Sequence, residues 1–287
     1  MSRSGTASRA AWWASGLLAL AGGAKAADGP WWWRMPAAPE VVWRGTLPTE
    51  GGAVGMGTQI GLYPVFGVGG LLVAIFTHAA ISQSVQSAER KKAQDDADKV
   101  LAPYGAALKA WPASALWEAA RAAAPAALAL NLWDGQAPPT GGLVVEAAPV
   151  YTMAQDEGVL VLDVAVKFVP SPGATPLETV VRVVSSPHDA ADARAHWSAD
   201  ESQRLKSTAA AMLAHALHTA ITHARAPAGD TPPRTHRYLQ GSVERTERAQ
   251  QLGGDCSRAV LRTLRGWLLS VPLSSAPDTP CLRTTSF

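Results

Sequence analysis

The chain of 287 residues is 47% hydrophobic with a mean hydropathy of +0.03, enough to bury a core in one compact domain with appendages or in two small domains. Charged residues make up 17%, below the roughly 25% usual for soluble proteins, and the formal net charge is +2. No block of like charge exceeds three residues, so the basic stripe that a nucleic-acid partner requires is not expected.

The first element is a short positive stretch with Arg3 and Arg9, followed by the apolar run AWWASGLLALAGGA. Small residues at Ala24 and Ala26 then form the A-x-A pattern that signal peptidase accepts, so residues 1–26 read as a secretory signal peptide; a buried N-terminal helix is the alternative. Removing Arg3, Arg9 and Lys25 takes the net charge from +2 to about −1. Residues 27–58 are rich in Trp, Pro and Gly and read as a loose arm with at most one strand, near Val41–Leu47. Its triple Trp31–Trp33 suits either a membrane interface, where indoles concentrate, or the cap of a core or partner groove.

Residues 59–82 are apolar and glycine-rich. Read as a helix, the 22 residues of 60–81 span about 33 Å, against a hydrocarbon core of roughly 30 Å. The uncharged window runs from Gly51 to Ala88. Pro64, Gly61, Gly67, Gly69 and Gly70 weaken a helix in water, but membrane helices tolerate them and small residues let helices pack closely. Gly67, Gly70 and Ala74 are the candidate membrane or self-association contacts. Arg90, Lys91 and Lys92 follow at once, as the positive-inside rule favours. Three readings stay open: a transmembrane helix with everything after residue 82 in the cytoplasm, a chain that does not span and lies in the periplasm, or a segment that packs on itself or on a membrane surface.

Residues 83–133 read as a helical region. A first helix over 82–110 carries mixed charges and is ended or kinked by Pro103; an alanine-rich second helix over 113–133 is anchored by Leu116, Trp117, Leu128 and Leu132. DGQAPPTGG at 134–142 is a linker. Residues 142–225 read as an α+β domain. LVVEAAPVYT, VLVLDVAVKFV and LETVVRVVSS are strand-like runs joined by short turns, which predicts an antiparallel meander. In the middle run Leu160, Leu162, Val164, Val166 and Phe168 share one face, and Asp163 and Lys167 form an ion pair on the other. The spacing then predicts a helix over 198–224, with Ser198 as N-cap, Glu201 at the capping-box position and an apolar stripe from Leu205 to Ile221. The fold class expected is therefore α+β: a short antiparallel sheet packed by a long amphipathic helix, preceded by the Gly-rich apolar segment and a charged helix.

Residues 236–287 read as either two helices, by their spacing, or a hairpin, by Gly253–Gly254. They hold Cys256 and Cys281, the two cysteines of the chain. In an oxidising compartment two such cysteines pair, with about 3 kcal/mol of stabilisation from the closed loop; buried free thiols are the alternative.

The motifs of common chemistry are absent: no G-x-S-x-G, H-E-x-x-H, P-loop or C-x-x-C. GMGTQIG at 55–61 lacks the βαβ context of a nucleotide turn. Six of seven histidines fall between His188 and His236. His215 and His218 sit on one side of the predicted helix at a metal-compatible spacing, but with no third ligand nearby they read as a polar face. SSPHD at 185–189 reads as a strand-ending turn rather than a triad, whose geometry is set in space. No catalytic residue, metal or cofactor is expected.

The layout of signal peptide, Gly-rich apolar segment, charged helix and small α+β domain resembles Gram-negative exported envelope proteins of unassigned function. It implies a cell-envelope location, periplasmic or at the inner membrane, and binding to the membrane or an envelope protein, with homo-oligomers as a further option. The alternatives are a hydrolase-like periplasmic enzyme, its site drawn from His188, His196, His215 and His218, and an oligomeric pore or complex subunit built on the Gly-rich segment.

Overall fold

The computed structural model describes residues 31–34, 41–47, 84–128, 130–133, 143–169, 176–224, 231–255 and 257–273. In chain order these form β1 (Trp31–Arg34), β2 (Val42–Gly45), α1 (Ser84–Ala97), a 3₁₀ stretch (Asp98–Tyr104), α2 (Gly105–Lys109), α3 (Ala113–Ala123), a 3₁₀ turn (Ala126–Leu128), β3 (Leu130–Trp133), β4 (Leu143–Met153), β5 (Leu160–Val169), β6 (Leu177–Val184), α4 (Ala190–His223), β7 (Arg234–Gln240), β8 (Val243–Gly254), β9 (Arg258–Thr263) and β10 (Leu268–Pro272).

The α+β class holds, but the sheet is neither short nor purely antiparallel. Ten strands form it, in the order β3-β1-β4-β5-β6-β10-β9-β8-β7, with β2 also on β4. The meander β4-β5-β6 is antiparallel as expected, as are β10-β9-β8-β7. The pairs β3-β1, β1-β4, β2-β4 and β6-β10 are parallel. Strands β1 and β2 follow one another along the same edge of β4, on residues 143–146 and 150–153. The arm expected to hold at most one strand thus supplies two. The second predicted helix stops at Ala123, and the chain turns into β3. In the ambiguous tail the described residues form strands, with the hairpin at Gly253–Gly254 rather than two helices, and β10 completes the free edge of β6.

One face of the sheet carries the helices. Leu160, Leu162, Val164, Val166 and Phe168 of β5 are buried there, and Leu205, Ala209, Met212, Leu213, Ala216, Leu217 and Ala220 of α4 meet them as the apolar spacing predicts. Trp33 is fully buried on this face, edge-on to Trp117 of α3 with ring centroids 4.4 Å apart, and Trp43 stacks on Tyr151 at 4.5 Å. Each such aromatic pair adds about 0.5–1.5 kcal/mol beyond its buried area.

The opposite face is also buried, although no helix among the described residues covers it. Val161, Val184, Tyr238, Ala249, Leu261, Leu269 and Val271 form a second core, because the sheet coils until the last hairpin returns across its back. The β7-β8 turn is fastened to the β4-β5 turn by Asp156, whose Oδ2 accepts from the Ser242 N–H (2.9 Å) and whose Oδ1 accepts from the Gly158 N–H (2.9 Å). Gly241 at the contact has φ +68°, and a Cβ there would lie 2.8 Å from both carboxylate oxygens.

Strand β2 is tied to the segment after the apolar stretch. The Gly45 N–H donates to Asp98 Oδ1 (2.7 Å), Gln94 Nε2 donates to the Gly45 carbonyl (3.1 Å), and Gln155 Nε2 bridges the carbonyls of Thr46 and Ala97 (2.7 and 3.1 Å). The approach is close enough that a Cβ at Gly45 would sit 1.9 Å from the Ala97 carbonyl oxygen. Gly45→Ala is therefore expected to cost about 1–3 kcal/mol through overpacking, read as a fall in the urea midpoint. Gly105→Ala, where nothing lies within 4 Å, should leave the midpoint unchanged or slightly higher.

Candidate functional site

The turn between β4 and β5, Ala154–Val159, is the point where three elements meet. Glu157 sits in it with φ +55°, 6% exposed. Its Oε2 accepts from the buried Tyr104 hydroxyl at the end of the 3₁₀ stretch. Its Oε1 accepts from Arg194 Nε (3.0 Å) and Nη2 (2.5 Å) on α4, and its backbone carbonyl accepts from Trp197 Nε1 (2.7 Å). One acidic residue so holds the β4-β5 turn, the 3₁₀ stretch and the start of α4. Burial, and then the Glu157 carboxylate, raise the Tyr104 hydroxyl pKa above its ordinary value, so the phenol stays protonated and donates.

Beside this clamp lie two histidines far apart in sequence terms from any recognisable motif. The rings of His188 and His196 stack with centroids 3.8 Å apart, and both stand edge-on to Trp197. Arg204 Nη1 lies 3.3 Å from His196 Nδ1. Burial lowers the pKa of both; for His188 the neighbouring His196 adds to this, and for both Arg204 does.

A second polar cluster lies between α4 and the sheet. His215 Nε2 is 2.8 Å from Ser270 Oγ, and Arg258 Nε donates to the same oxygen (3.2 Å). Arg258 donates to one lone pair of the Ser270 oxygen, and the hydroxyl pairs with His215 as donor or acceptor according to the ring tautomer. Arg258 also donates to the carbonyls of Val184 (2.5 Å) and Ser270 (3.1 Å), binding β6 to β10. The His215 pKa is pushed down to about 4, first by burial and then by Arg258. A serine beside a histidine resembles an activated nucleophile, but Ser270 has no exposure to solvent. The arrangement acts as a polar bolt between helix and sheet.

The histidines named from the sequence therefore separate: His188 and His196 come together, while His215 goes to Ser270. Among the described residues no group of three or more His, Cys, Asp or Glu is placed to hold a metal. SSPHD is the strand-to-helix turn expected, with Asp189 Oδ1 capping α4 through the Ala191 N–H (3.0 Å). Ser198 does not cap a helix; it is exposed, just before the break in α4. Asp163 pairs not with Lys167 but with Arg182, through two bonds of 2.6 and 2.7 Å, since the strand across the ladder is nearer than the next turn of the same strand. Cys256, Cys281, Gly67, Gly70 and Ala74 lie outside the described residues, as does the 60–81 stretch. Among the described residues no helix is long and apolar enough to cross a membrane. Sequence reasoning missed Glu157 and Tyr104: an acid in a QDEG turn reads as solvated, and only the fold buries it. No family model matches the chain, and no curated protein or solved structure shows significant similarity to it.

Glu157→Ala removes a charged acceptor from a buried phenol and is expected to cost about 2–3 kcal/mol in urea unfolding. Arg194→Ala, whose side chain is 67% exposed and so screened by solvent, should cost clearly less than Glu157→Ala. The His215 ring should stay neutral down to about pH 4 in an NMR titration. Because folding lowers its pKa from the ordinary 6.5, its contribution to stability is complete above pH 6.5 and is lost as the pH falls toward 4.

Proposed function

We propose that the protein is an exported, membrane-associated component of the cell envelope that acts by binding or assembly rather than by catalysis. Three polar clusters in its interior are each occupied internally: Glu157 by Tyr104 and Arg194, Asp163 by Arg182, Ser270 by His215 and Arg258. They act as fasteners between elements.

The observation that carries the reading is the position of β1 and β2. Both strands precede the apolar stretch, yet both pair with β4, which follows it. Strand β2 is further bonded to Gln94 and Asp98. A single membrane crossing between residues 48 and 83 would put these partners on opposite sides of a core roughly 30 Å thick. Helix α1 could not carry the chain back, since Lys91, Lys92, Asp95 and Asp96 would stand in hydrocarbon. The chain therefore meets the membrane from one side. Two helical crossings need about 40 residues, more than the stretch between β2 and α1 contains. With a cleaved signal peptide over 1–26, everything from β1 onward faces the periplasm, and Cys256 and Cys281 lie where a disulfide persists.

A second reading, an oligomeric pore or complex subunit, is favoured by the same return of the chain. Two crossings as strands need only about 9–11 residues each, which the stretch accommodates.

Labelling intact cells with a membrane-impermeant maleimide admitted to the periplasm tests the proposal. Cys256 and Cys281 should react only after reductant is added, without lysis. Reaction that requires lysis and no reductant, with the thiols still protected after the outer membrane is opened, would overturn it. The pore reading predicts detergent-resistant oligomers that disappear on Gly70→Leu.

A further inference from the structure

Among the described residues four non-glycine residues have positive φ: Glu157 of the clamp at +55°, and Asp200, Glu201 and Ser202 at +52°, +56° and +64° inside α4, shortly after Trp197. A left-handed L-residue costs roughly 1–2 kcal/mol against its right-handed form. Three in succession, in a segment reading SADESQRLKS with no Gly, Asn or Pro, are strained by the fold rather than chosen by the sequence. With helical values there and at Ala199, which is extended at ψ 141°, Ala190–His223 would be one unbroken helix of about 51 Å.

The segment Ala190–Ser198 is withheld from that helix by named contacts. Arg194 and Trp197 are bound to Glu157, and His196 stacks on His188. The backbone of His188 is itself bonded to the Gly158 carbonyl (2.8 Å), so it stays with the β4-β5 turn. The docked, broken helix persists because these contacts outweigh the strain at residues 200–202.

We propose that α4 is a two-state element, a sprung helix: protonation of the His188–His196 pair releases Ala190–Ser198 from the β4-β5 turn, and the left-handed residues relax to extend one continuous helix. The chemistry follows from Arg204. A guanidinium only donates, so His196 Nδ1 accepts from it and carries no proton. A proton on that nitrogen removes the bond and sets a cation against Arg204, with the stacked His188 ring 3.8 Å away. The groups around the pair do not compensate. Arg194 adds a like charge, Glu157 is committed to Arg194 and Tyr104, Asp156 to the N–H groups of Gly158 and Ser242, and Asp189 to the start of the helix. The folded-state pKa of each histidine lies below the ordinary 6.5, so the docked form is favoured above pH 6.5 and loses ground as the pH falls through the lowered values. The inference stands whatever the location of the protein.

The test is a nitroxide distance in the full chain. Labels at Asp192→Cys and Ala211→Cys, both exposed positions, are placed in a Cys256→Ser, Cys281→Ser background. A continuous helix separates these two Cα atoms by about 28 Å. Acidification from about pH 7.5 to 4.5, through the ordinary histidine value and on below it, should move the distribution from a shorter distance to that one, with helical ellipticity retained or increased. His196→Gln, which keeps an acceptor for Arg204 but does not titrate, should stay short at both pH values. Asp200→Gly with Glu201→Gly, which removes the left-handed penalty, should hold the short distance to lower pH than the parent. An unchanged distance in the parent, a response that survives in His196→Gln, or lengthening with loss of ellipticity would each overturn the proposal.

Discussion

Strand β5 must be buried on both faces, and the rest of the architecture answers that requirement. Its even-numbered residues meet the helices, while Val161 and Ala165 point the other way and are as dry. Helices cover only one face. The other is closed by coiling the sheet until the β7-β8 hairpin lies across the back, held by Asp156 at Gly241 and Ser242. The long, mixed sheet is the consequence: β10 enters beside β6 in parallel, and three further antiparallel strands carry the chain round to the starting turn. Arg182 and Asp163 are trapped on that inner face, where two short bonds offset the desolvation of both charges.

The β4-β5 turn carries a disproportionate share of the tertiary fastening. Asp156 secures the returning hairpin, Glu157 secures the 3₁₀ stretch and the start of α4, and the Gly158 carbonyl secures His188. The left-handed residues of α4 are the cost of bringing Arg194 and Trp197 to that turn. A break of this kind survives only where surrounding contacts over-determine it, and here those contacts include two stacked histidine rings, one of them beside Arg204. Structural fastening and proposed responsiveness therefore use the same residues.

The closure of β1 and β2 onto β4 gives the apolar stretch its meaning. Hydropathy alone equates such a run with a single crossing, because it scores residues without regard to where their flanks must be. Here the flanks are hydrogen-bonded to each other through Gly45, Gln94 and Asp98, and the strands before the run are inside the sheet formed after it. This restricts how the chain can meet a bilayer, and the proposed binding role rests on that restriction.

Much of the central unit was legible from residue order. The period-two runs at 143–153, 160–169 and 177–184 predict the meander, and the apolar stripe from Leu205 to Ala220 predicts which side of α4 is buried, because both patterns record a face being turned from water. The four-residue strands β1 and β3 are too short to show a period, and the tail from Arg234 to Pro272 carries helical spacing that a free sheet edge overrides. The partner of Asp163 and the burial of Glu157 leave no local trace, and the break in α4 shows only as the capping pattern at Ser198 and Glu201. A sequence by itself determines how much each segment gains by hiding one side; which distant segments hide it, and which charges and backbone angles are forced together as a result, is decided only when the sheet closes on itself.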